Sequence, residues 1–166
     1  MSLQSEQLTY RKPSRDDMDF LSYYHADPVL TRFLPRGRPY QKEEVEEYLN
    51  GRLKHWDRHQ FGTFIIHRKV DREPVGYVGL EYVSDTEFVD IRYGLTQNAW
   101  GKGLALESAK WCLDYGFENT ELEQIFGAAL PENLPSLAVL EKIGMEQVNN
   151  VDFYGDSLLY FAINKS

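Results

Sequence analysis

A single cysteine, the absence of any long apolar run and a shortage of basic residues set the first limits on this chain. Cys112 has no partner for an internal disulfide. With no signal-peptide pattern at the start, this points to a reducing, cytoplasmic setting, and its helical context points to a buried thiol rather than a nucleophile. No stretch approaches the roughly 20 apolar residues of a membrane span, so no membrane partner is expected. Lysine and arginine number 18 against 26 aspartates and glutamates, a formal net charge of −8. Nonspecific nucleic-acid binding is therefore disfavoured, and the same acidity favours a cationic small partner. His55 and His59 stand one helical turn apart but lack a third ligand, and there is no His-Glu-x-x-His motif. The pair reads as a solvated helix end, and no metal is expected. Repeats, linkers and low-complexity segments are also missing, so the 166 residues read as one domain spanning 1–166.

Hydrophobic periodicity supplies the elements. Gln7 to Lys12 reads as an edge strand, and Ser14 to Ala26 as a helix capped by Ser14 with Asp16 and Asp17 in its first turn. Asp27 to Tyr40 reads as irregular, broken by Pro28, Pro35 and Pro39. Gln41 to His59 is a second helix with Val45, Tyr48, Leu49 and Trp56 on its apolar face. Gly62 to Arg68, Pro74 to Val83 and Glu87 to Leu95 are successive antiparallel strands, the first turning at Val70–Glu73. A helix from Leu104, a strand at Gln124 to Leu130 and a helix at Asn133 follow. Two closing strands, near 146–152 and 158–164, form a final hairpin through which a homodimer could pair. Strands and helices in this order make an α+β fold.

Trp100-Gly101-Lys102-Gly103-Leu104-Ala105 lies between the strand ending at Leu95 and the helix from Leu104. A strand, a glycine turn and a helix aim backbone N–H groups and the positive end of a helix dipole at one spot, which suits a di- or triphosphate. Lys102 can add a mobile charge. A Walker A loop is excluded, because Gly103 stands where Ser or Thr is required. A dinucleotide fingerprint is excluded because Leu106 occupies the place of its third small residue.

The spacing that fits is Trp100-x-x-Gly103-x-Ala105, which resembles the acetyl-CoA pyrophosphate loop of the GNAT superfamily of N-acetyltransferases. Trp100 departs from the usual Gln or Arg, but an aromatic followed by Gly-Lys-Gly is common in the RimJ/RimL-like branch. A second block, Asn133-Leu134-Pro135-Ser136 to Glu141-Lys142-Ile143-Gly144-Met145, resembles the superfamily's Asn-x-x-Ser/Ala…Glu-Lys-x-Gly-Phe signature. Gly103 and Asn133 stand thirty positions apart, in the expected order. The resemblance covers nearly the whole chain. It implies a mixed, mostly antiparallel central sheet flanked by helices, with splayed strands forming an acetyl-CoA slot. Trp100 to Ala105, Asn133 and Ser136 would bind the coenzyme, with Tyr93 and Leu95 on the strand edge that holds pantetheine and thioester.

The implied reaction is acetyl transfer to a primary amine, on a protein N-terminus or a small molecule, by direct attack in a ternary complex. Many superfamily members place Tyr directly before Glu-Lys, where this chain has Leu140. Ser136, one turn earlier, is the candidate proton donor to the leaving thiolate, and Tyr154 the spare. Asp90 and Glu81 are the candidate bases. Asp90 lies where related enzymes often carry Glu, and Arg92 stands in place of Gly and can pair with it. Phe33, Glu81 and Tyr93 are candidates to line the acceptor pocket. Arg32, Arg36 and Arg38 would flank that pocket or the coenzyme's 3′-phosphate. Two other functions stay open at this point: a CoA-binding sensor of weak or no activity, and transfer of another acyl group on the same scaffold.

Overall fold

The computed structural model describes residues 2–166. Its elements run β1 (Leu8–Arg11), α1 (Met18–His25), α2 (Pro28–Thr31), α3 (Lys42–His59), β2 (Thr63–Arg68), β3 (Pro74–Tyr82), β4 (Val89–Leu95), α4 (Leu104–Asn119), β5 (Gln124–Ala129), α5 (Leu134–Lys142), β6 (Glu146–Val148) and β7 (Leu159–Asn164). The strands form one sheet in the order β1-β2-β3-β4-β5-β7-β6. Every neighbouring pair is antiparallel except β4 with β5. This is the mixed, mostly antiparallel sheet flanked by helices that the sequence implies.

Directly opposed residues of an antiparallel pair share a face. One face of β3 and β4 therefore carries Tyr77, Gly79 and Glu81 opposite Gly94, Arg92 and Asp90. Helix α3 covers it, with Val45 and Leu49 packed on Leu21 of α1 and Ile65 of β2. The other face carries Val78, Leu80 and Ile91, which join Leu104, Ala109 and Leu113 of α4 and Leu140 of α5 in the main core. Central β3 is buried on both faces from Val75 to Glu81, so it reads as a continuous run instead of an alternation.

The sheet opens where the chain turns parallel. β3 and β4 stay in register to Gly76 opposite Leu95. β4 and β5 share one register pair, Asp90 with Phe126. Beyond Asp90 their edges part, so backbone polar groups on that side of β4 have no ladder partner in β5.

Local departures from the sequence reading have physical causes. Pro28 does not break the stretch from Asp27 to Tyr40 at its start. It opens α2, where the missing N–H of proline is harmless, and the Asp27 side chain accepts from the backbone of Val29 and Leu30. Ser14 caps as expected, in a capping box with Asp17, but the first turn (15–17) is a 3₁₀ turn ahead of α1. The last two strands do not form a tight hairpin: β6 ends at Val148 and β7 begins at Leu159. β1 and β6 are thus the sheet's edges.

Candidate active site

The glycine loop follows β4 through a 3₁₀ turn at Gln97–Ala99. The Trp100 indole N–H donates to the Leu95 carbonyl at 3.0 Å, so this half-exposed ring folds back over the strand end. Gly101 and Gly103 both adopt left-handed backbone, φ 76° and 74°, which costs an ordinary residue about 1–2 kcal/mol. A Cβ built at either meets no heavy atom within 4 Å. Glycine is needed there for conformation, and the space above it is open. Gly103 is the N-cap of α4, and no side chain caps that helix. The N–H groups of its first turn therefore lack intrahelical acceptors and lie at the positive end of the dipole. Leu104 is buried and anchors the turn. The Lys102 ammonium donates to the Asn98 carbonyl at 2.7 Å, an exposed bond that braces the loop. The cradle fits a pyrophosphate.

On the α4/α5 face, the Asn133 side-chain carbonyl accepts from the Ser136 N–H at 3.4 Å as the N-cap of α5. Its amide NH₂ stays available to donate. Tyr93 of β4 reaches across to α5: its hydroxyl donates to the Ser136 carbonyl at 3.0 Å and lies 3.0 Å from Ser136 Oγ. Burial pushes the Tyr93 phenol up to about 12, against the lowering hydrogen bond to Ser136.

On the α3 face, Glu81 and Asp90 are register partners, and both are buried. Arg92 lies between them, its Nε 3.0 Å from Asp90 Oδ1 and its Nη1 3.3 Å from Glu81 Oε1. Glu81 also accepts from the Thr63 hydroxyl at 2.8 Å and pairs with Arg52 of α3 at 2.7 Å. The Tyr154 hydroxyl donates to Asp90 Oδ2 at 2.5 Å, while its ring remains 40% exposed. Burial raises the Asp90 carboxyl above its ordinary value, although Arg92 and Tyr154 pull the other way. Burial also raises Tyr154, helped by the Asp90 charge.

Glu81, Asp90 and Tyr154 thus meet on one face. Ser136 and Tyr93 meet on the other, on the far side of the cleft that begins at Asp90. Tyr93 faces away from Glu81, and Phe33 is in contact with Arg32, which stacks 4.9 Å above its ring. Arg36 and Arg38 bind Glu44 at 2.7 and 2.8 Å and so clamp their loop to the start of α3. His55 is no solvated helix end. Its Nε2 accepts from the Tyr82 N–H at 3.0 Å and its Nδ1 lies 2.8 Å from the Phe61 carbonyl. Cys112 is fully buried, which raises its thiol. Arg52 is the residue that sequence reasoning missed. The signal was there, because Val45, Leu49, Arg52 and Trp56 fall at i, i+4, i+7 and i+11, a charge inside an apolar stripe. Among the described residues, no group of three or more His, Cys, Asp or Glu could hold a metal, and no helix is long and apolar enough to cross a membrane.

A loop of orphan N–H groups beside a split parallel pair is the arrangement of an acyl-CoA-dependent acetyltransferase. The family profile described as an acetyltransferase (GNAT) domain matches residues 7–146, and the chain belongs to that family. It is 30% identical over 150 residues to the uncharacterized N-acetyltransferase p20 of Bacillus licheniformis, covering 88% of this chain and 83% of that one. YnaD of Bacillus subtilis, also an uncharacterized N-acetyltransferase, is 27% identical over 147 residues, 89% and 84% of the two chains. An acetyltransferase from Agrobacterium tumefaciens shares the fold with a TM-score of 0.88 at 23% identity, over 99% and 95% of the two chains. RimL, the ribosomal L7/L12 acetyltransferase solved with coenzyme A, gives 0.80 at 15% identity, over 96% and 95%.

Proposed function

We propose that this GNAT acetyltransferase moves an acetyl group from acetyl-CoA to a primary amine, on a small molecule or a protein N-terminus, by direct attack in a ternary complex within a single catalytic domain. The observation that carries this reading is the parting of β4 from β5 at Asp90, with the Gly101/Gly103 cradle beyond it and a buried carboxylate at its apex. Acetyl-CoA supplies the thioester. The α4 N-terminal N–H groups and the loop glycines hold the pyrophosphate, the Asn133 amide donates to the pantetheine arm, and free N–H groups of β4 orient the thioester carbonyl. Asp90 accepts the amine proton through the Tyr154 hydroxyl, which donates to the carboxylate, accepts from Arg92 Nη2 at 3.2 Å and keeps a second lone pair for the amine proton. Ser136, held by Tyr93, offers its proton to the leaving sulfur. The only cysteine is buried, so the chain's own thiol plays no part.

Deprotonating a lysine-type amine of pKa about 10.4 at pH 7 costs about 4–5 kcal/mol, and an α-amine near 8 about 1–1.5. A carboxyl raised by burial is the better acceptor for either proton. Calorimetric titration with acetyl-CoA tests the cradle. Gly103→Glu, which forces a side chain into left-handed backbone and adds a negative charge beside the pyrophosphate, is expected to weaken acetyl-CoA at least about tenfold. Unchanged affinity removes the loop from the site. Ser136→Ala is expected to lower kcat about tenfold or more while the acetyl-CoA Kd stays within about twofold. Unchanged turnover hands the proton donation to solvent.

A further inference from the structure

Resting on the acetyl-transfer reading, we infer that the acceptor is a small primary amine bearing a carboxylate or phosphate, whose anion is held by Lys54 and Arg58 of α3. A cavity of about 280 Å³ opens beside the Asp90 cluster, and Arg52, Lys54, Arg58, Glu81, Ser84 and Arg92 are among its lining residues. Glu81 is the one acid in that lining. It is already engaged by Arg52 at 2.7 Å, Arg92 at 3.3 Å and Thr63 at 2.8 Å, and Arg92 is further matched by Asp90. The paired charges therefore cancel, and of the lysines and arginines in the lining there remain, with His59 beside them, Lys54 and Arg58. Both are exposed, and neither makes an ion pair among the described residues. Asp57, next in sequence to Arg58, is not part of the lining. His55, which also lines the cavity, has both ring nitrogens occupied, and burial lowers its proton affinity.

Two like charges four residues apart on one helix face repel each other. Here they do so in a chain of net charge −8, where carboxylate partners are plentiful. Screening limits the influence of the remaining acidic surface to about 8–10 Å, so local charge decides what enters. A polyamine would meet two uncompensated cations. This reverses the cationic acceptor that the composition favours.

Length fits as well. Lys54 and Arg58 lie about 3 and 9 Å along the helix axis from Arg52, at 1.5 Å per residue, and Arg52 touches the Glu81 beside Asp90. An anion on the outer pair therefore leaves a short aliphatic amine to extend along the lining towards Glu81 and Arg92, the cavity's members of the Asp90 cluster. The cavity is at the small end of ligand sites, which suits an amino acid or an aminoalkyl phosphate.

The test compares kcat/KM, by CoA release, for γ-aminobutyrate, its amide, 3-aminopropyl phosphate, an Asp-initiated peptide and spermidine, with wild type and the Lys54→Glu/Arg58→Glu double variant. The anionic small amines are expected to exceed the amide and spermidine by at least about tenfold in wild type, and to lose that preference in the double variant. Carboxylate against phosphate then tells which anion is read. Equal use of the amide, preference for spermidine or for the peptide, or a preference the double variant retains would overturn the inference. If no amine turns over, the acetyl-transfer reading fails by itself, and ligand-induced rise in Tm decides the site. Stabilisation of wild type but not of the double variant by the anionic amines upholds it, and no difference between the two sinks it.

Discussion

Asp90→Asn is expected to lower kcat by about 10²–10⁴-fold, the range set by loss of a positioned general base, with the acetyl-CoA Kd little changed. The substitution keeps the shape of the side chain and an oxygen for the Arg92 N–H, so the effect lies in proton affinity. The pH profile gives the stricter check. Burial raises the Asp90 carboxyl, so the rising limb of kcat/KM against pH should sit above the ordinary aspartate value of about 3.9, and should vanish in the Asn variant. Glu81→Gln should cost less. Its oxygens are already taken up by Thr63, Arg52 and Arg92, and among the described residues no hydrogen bond links it to the Tyr154 hydroxyl that relays the proton to Asp90. A larger loss from Glu81→Gln than from Asp90→Asn would move the base to Glu81.

The two halves of the proposed site were unequally legible in the sequence. The coenzyme half is local. Gly101, Gly103, Asn133 and Ser136 owe their roles to turn conformation and helix capping, which depend on neighbours within a few residues, and the structure reproduces both. Even there, the direction of Lys102 was not readable, because an ammonium in reach of the Asn98 carbonyl folds back at no cost in sequence pattern. The acceptor half is long-range. Glu81, Arg92, Thr63 and Arg52 belong to three strands and a helix, and only strand register places them together. Tyr154 comes from the connection between β6 and β7, whose path no periodicity encodes. The loop of Phe33 and the arginines of 32–38 is long-range in the same way: its sequence does not tell that Glu44, at the start of α3, takes up Arg36 and Arg38.

Arg92→Ala is expected to destabilise the fold by about 3 kcal/mol, the lower end of the cost of breaking a buried ion pair. The reason is the carboxylate left behind. Glu81 retains Arg52 and Thr63, but Asp90 retains only the Tyr154 hydroxyl, 2.5 Å away. Adding Asp90→Asn to Arg92→Ala should therefore recover much of the loss, a non-additivity that two independent sites would not show. The pH dependence carries a definite sign. Asp90 is raised in the folded protein even with Arg92 present, because burial outweighs its partners. Between its unfolded and folded values the native state then binds more protons than the unfolded state, so the contribution of Asp90 to stability grows as pH falls through the folded value and fades as pH rises. Without Arg92 that window widens upward, and the urea midpoint of the single variant should climb towards wild type on acidification from neutrality, with the m-value unchanged. A variant that loses less than about 1 kcal/mol, with no such climb, would mean that Asp90 is solvated once its partner is gone. The burial that lifts its proton affinity would then be absent too, and the Asp90 base would fall with it.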